Sequence, residues 1–86
     1  MTTLQYQIFT EHKNLYGIRE ILDRYMPGYT IFYGAGVWKK QHEPSLIIIA
    51  MEVSAEDVYS AVAEIKALNN QQSVWVASCE VQLQAC

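Results

Sequence analysis

Leu4, Tyr6 and Ile8 alternate with Gln5 and Gln7, a period of two that marks a strand with one buried face. The alternation stops at the polar stretch Glu11-His12-Lys13-Asn14. Asn14 is suited to cap a helix in which Leu15, Ile18, Ile21 or Leu22 and Tyr25 recur at helical spacing, with Glu20 and Arg24 expected to pair on the outer side. Pro27-Gly28 ends that helix as a turn. Residues 29–38 combine aromatic and β-branched types, Tyr29-Thr30-Ile31-Phe32-Tyr33 and then Val37-Trp38, and the intervening Gly34-Ala35-Gly36 predicts a bulge in this second strand. Lys39 to Pro44 reads as a polar turn, and Ser45 to Val53 as a third strand whose unbroken apolar centre, Leu46-Ile47-Ile48-Ile49-Ala50-Met51, suits burial on both faces. Ser54 followed by Asp57 has the form of a capping box, and Val58, Ala61, Val62, Ile65 and Leu68 then mark one face of a second helix. After Asn69-Asn70-Gln71-Gln72, residues Trp75, Ala77, Cys79, Val81 and Leu83 alternate with Val74, Val76, Ser78, Glu80 and Gln82, which predicts a long last strand.

The resulting order is strand-helix-strand-strand-helix-strand over residues 1–86, with no linker and no internal repeat. Right-handed crossovers between non-adjacent strands give that order one economical solution. It is an α+β, ferredoxin-like split-βαβ sandwich: a four-stranded antiparallel sheet of order 4-1-3-2, with both helices on one face. A chain of this length buries only about 60–65% of the surface its unfolded form exposes. Yet 51% of the residues are apolar and ten are aromatic, so the other sheet face is expected to meet a second copy of the chain.

Six Lys and Arg against nine Asp and Glu leave a net charge of −3, which argues against general nucleic-acid binding. Lys39 and Lys40 are adjacent and have no acid beside them until Glu43, enough for a small anion. Cys79 and Cys86 on one extended strand would lie roughly 23 Å apart, so no intramolecular disulfide is expected. The sequence starts without a basic, apolar leader, and no run approaches 18 apolar residues; a cytoplasmic protein without membrane contact is the expectation.

Functional groups concentrate between Gly34 and Ser45. Trp38 can stack on a base, and Lys39 or Lys40 can meet a phosphate. His42 adds an imidazole, with Tyr33 and Arg19 as contributors. The opposing reading is a solvated hairpin whose lysines guard an edge strand. Gly34-Ala35-Gly36 lacks the third glycine and the following helix of a dinucleotide site. His12, in the loop after the first strand, and His42 leave the sheet in comparable places. With Glu43 they form a candidate catalytic set for general acid–base cleavage of a phosphodiester, without a metal. No His or Cys pair has zinc spacing, so neither metal nor cofactor is expected. The aliphatic third strand lacks the stacked aromatics of an RNA-recognition sheet.

In element order and length nearly the whole chain resembles the PII-like and CutA-like ferredoxin-fold proteins. The resemblance implies subunits that pair sheet edges in trimers and hold ligands in clefts between them. It is also similar in size and character to small phage proteins that sequester nucleotide immune signals. The expectation is therefore a homodimer, homotrimer or higher homo-oligomer that binds a small anionic, nucleotide-like signalling molecule through Tyr33, Trp38, Lys39, Lys40, His42 and Arg19, a viral anti-defence sponge being one form. The alternatives are a cyclic-nucleotide phosphodiesterase using His12, His42 and Glu43, and a module for protein–protein interaction.

Overall fold

The segments read as strands and helices form those elements in a computed structural model that describes residues 1–86. In chain order they are β1 (Thr2–Glu11), α1 (Leu15–Tyr25), β2 (Thr30–Trp38), β3 (Gln41–Met51), α2 (Ala55–Asn69) and β4 (Trp75–Gln82). All strand pairs are antiparallel and the sheet order is β2-β3-β1-β4, the expected arrangement counted from the other edge. No helix is long and apolar enough to cross a membrane.

Register assigns every strand residue to a face, because directly paired residues of antiparallel strands share one. Tyr6, Ile8 and Thr10 of β1 and Leu46, Ile48 and Ala50 of β3 point to the helices and are buried. They meet Ile18, Ile21 and Leu22 of α1 and Val58, Ala61, Val62 and Ile65 of α2 in one core. The other face, which neither helix covers, carries Phe9, Phe32, Trp38, Ile47, Ile49 and Trp75. On β4 the more apolar side, Trp75, Ala77, Cys79 and Val81, lies on that open face.

Two sequence expectations change in the hairpin. The β2–β3 ladder runs from Thr30 opposite Ile49 to Trp38 opposite Gln41 without an interruption, so Gly34-Ala35-Gly36 is regular strand, not a bulge. The third strand begins at Gln41, not Ser45, leaving Lys39 and Lys40 as a two-residue turn with φ of 50° and 65°. Positive φ at both positions is the primed turn that matches strand twist. Pro44 is tolerated inside β3 because N and O of one strand residue face the same way. Its carbonyl accepts the His12 N–H at 3.1 Å, so its missing donor faces the end of β1, not β2.

At the helix ends, Ser54 caps α2 by accepting from Asp57 N–H at 3.1 Å, as the capping box predicts. Asn14 takes the N-cap position of α1, but its side chain makes no capping bond. It adopts a left-handed conformation, and its amide instead donates to Asn69 Oδ1 at 2.9 Å. Arg24 pairs across the helices with Glu64, at 2.6 Å, in place of Glu20. Both cysteines are free and exposed.

Candidate functional site

The β2–β3 hairpin outruns its neighbours. β1 stops pairing with β3 at Glu11 opposite Ser45, whereas β2 and β3 continue to Trp38 and Gln41. The last turns of this arm are thus held by each other alone, and Tyr33, Val37 and Trp38 are all about 60% exposed (61%, 60% and 61%). Such exposure of large apolar groups on both faces of one arm is unusual in an isolated chain.

On the open face the arm presents Phe32, Gly34, Gly36 and Trp38 from β2, beside Glu43 and Ser45 from β3. The result is a trough with an aromatic wall at each end and a floor of two glycines. Neither glycine has a positive φ, so the backbone does not require them. A Cβ on Gly36 would make ordinary contacts, 3.5 Å to both Glu43 O and Ser45 Cβ, and one on Gly34 would meet the rotatable Ser45 hydroxyl at 3.3 Å. The bare backbone at these two positions is where an outside group can approach the strand closely.

The trough continues into a groove of about 510 Å³. Its floor is the end of β1, Phe9 and Glu11, and its far wall is the α2–β4 loop, residues 70–73, with Trp75. That loop is held firmly. Asn69, buried, donates to Gln71 Oε1 at 3.0 Å, and Thr10 Oγ1 donates to the same oxygen at 2.5 Å. Asn70 takes a left-handed conformation and Gln71 N–H bonds back to Lys66 O at 3.1 Å, closing α2.

The candidate residues divide between the two faces of the arm. Trp38 and Glu43 lie on the open face, with Lys39 and Lys40 at the tip and Lys39 Nζ 5.8 Å from the Trp38 ring centroid. Tyr33 and His42 lie on the helix-ward face together with His12, whose ring is 5.3 Å from that of Tyr33. Glu43 therefore points away from the two imidazoles. Arg19 sits on α1 beside Tyr29, and Tyr29 precedes β2, about 30 Å of strand from Trp38. It is not part of the arm. Burial and a 2.5 Å bond to Asp23 raise the Tyr29 phenol above its ordinary range. There is no cluster of three or more potential metal ligands.

Glu11, Phe32 and Trp75 were not singled out from the sequence as site residues. They come from three different strands, and only register shows that they share a face with Trp38.

No protein-family model and no curated protein matches the chain. Solved structures do. A nitrogen regulatory PII-like protein, CPII of Thiomonas intermedia K12, bound to ADP, AMP and bicarbonate, superposes with a TM-score of 0.71 at 22% identity, over 100% of this chain and 97% of that one. A phage SAM lyase in complex with S-methyl-5′-thioadenosine gives 0.72 at 21% identity, over 91% and 81%. The ATP complex of GlnK from B. subtilis gives 0.66 at 16% identity, over 93% and 82%. The chain has the PII-like form of the ferredoxin-like fold.

Proposed function

We propose that a chain with this fold works as a homo-oligomeric binding module, holding a small anionic, nucleotide-like molecule where copies meet. The observation that carries the reading is the glycine-floored trough between Phe32 and Trp38, an opening that nothing in the chain's own backbone demands. A base fits against the indole face of Trp38, an interaction worth about 1–3 kcal/mol. Lys39 and Lys40 at the tip supply the charge for a phosphate. Tyr33 and His42, on the reverse of the arm, meet the same seam when the arm enters between two copies.

The surface supports association. The isolated chain exposes 5954 Å², whereas a monomer of 9.8 kDa is expected to expose about 5,200 Å². The excess is close to the roughly 800 Å² that each partner contributes to a standard interface. The radius of gyration, 13.2 Å, likewise exceeds the roughly 12 Å expected for 86 residues, because the arm projects. Three neighbours in fold are complexes with adenosine-containing molecules. They include both a regulatory protein and a lyase, so the fold leaves open whether a held ligand is kept or changed. Separation of the imidazoles from Glu43 favours holding over phosphodiester cleavage, and a protein that holds a nucleotide without turnover can act as a sponge for a signal.

Incubation with ADP, cyclic AMP and ADP-ribose, followed by denaturation and analysis of the released molecule, tests this reading. One nucleotide recovered intact is the expected result, and Trp38→Ala should weaken its binding by about 1–3 kcal/mol. A chemically altered product indicates catalysis, and retention of none of the three contradicts the reading.

A further inference from the structure

We infer that Glu43, together with Ser45, recognises the sugar hydroxyls of the bound molecule, so that the site selects ribonucleotides over 2′-deoxyribonucleotides. The inference rests on the nucleotide reading above and deepens it.

Glu43 and Ser45 are next-but-one neighbours on β3 and project from the open face, opposite Gly36 and Gly34 respectively. The residues directly opposite them on β2 are glycines and carry no side chain. Glu43 and Ser45 are only half-exposed, yet the two ion pairs of the protein, Lys13 with Glu11 and Arg24 with Glu64, leave Glu43 out. A carboxylate is an acceptor with two oxygens, and a vicinal diol offers two donors side by side. The neighbouring serine hydroxyl can donate or accept, so it serves whichever sugar oxygen remains.

Charge along the arm sets the orientation. Lys39 and Lys40 form the turn, and Glu43 lies three residues beyond Lys40, about 10 Å along the strand. The sugar hydroxyls and the terminal phosphate of a nucleoside diphosphate span a comparable distance. A phosphate placed at Glu43 would face an uncompensated negative charge; the same phosphate at the tip meets two ammonium groups. A molecule with an anion at one end and hydroxyl donors at the other satisfies both. Inorganic polyphosphate does not.

Calorimetric titration of the full chain with ADP and with 2′-deoxy-ADP tests the inference. Because a polar group left unpaired at a recognition site is costly, ADP should bind at least about tenfold more tightly than its deoxy analogue. Glu43→Gln should bring the two to within about twofold of each other, with an unchanged melting temperature, and Ser45→Ala should narrow the gap in part. Equal binding of the two nucleotides by the unmodified protein overturns the sugar assignment while leaving the nucleotide reading in place. Binding of neither overturns both.

Discussion

Thr10 and Asn69 are the two polar side chains buried with the core, and both belong to the network that anchors the far wall of the groove. Asn69 uses its oxygen for Asn14 and its nitrogen for Gln71, tying the β1–α1 loop to the α2–β4 loop. Truncation removes both bonds and empties the space of a fully buried side chain. Asn69→Ala should therefore cost about 1–3 kcal/mol, read from urea unfolding, and lower the melting temperature by roughly 4–8 °C per kcal/mol. A second network is exposed. Glu64 accepts from both Arg24 and the Tyr25 hydroxyl; these bonds hold its carboxyl below the ordinary value of 4.5 and raise Arg24 and Tyr25. A depressed carboxyl contributes stability above its unfolded value, and that contribution is lost as the pH falls through the lower folded value. Thermal melts from pH 7 to pH 3 should thus show a shallower acid-side decline for Glu64→Gln than for the unmodified protein.

The elements themselves were mostly legible in the chain. Alternation fixed β1 and β4, and Ser54 with Asp57 marked the start of α2, because local capping chemistry operates there without tertiary help. The hairpin departs from its sequence pattern for physical reasons. Two glycines look like a bulge when the pairing partner is unknown, and Lys39-Lys40 carries none of the Asn-Gly signal that normally announces a primed turn. A left-handed conformation costs a side-chain-bearing residue about 1–2 kcal/mol. Lysine at both positions therefore keeps a strain that Asn-Gly would relieve, as expected where side chains serve a purpose other than stability. The double substitution Lys39→Asn, Lys40→Gly should stabilise the protein by about 1–2 kcal/mol in denaturant unfolding and weaken nucleotide binding. A gain in stability with undiminished binding would remove the lysines from the site.

The candidate site was legible only as a concentration of functional groups between Gly34 and Ser45. Its division between the two faces of the arm depends on register, and its far wall on the fold. Any surface that completes it from a second copy is invisible to a single chain. Everything in the proposed function depends on such a copy being present, and the apolar open face, the exposed arm and the excess surface are the features that the proposal assigns to association. Mass measurement of the purified protein under non-denaturing conditions addresses this most directly. The expected result is an assembly at a small whole multiple of 9.8 kDa, carrying a small molecule that is released on unfolding. A single 9.8 kDa species at micromolar concentration, with nothing bound and no growth when nucleotide is added, would contradict it.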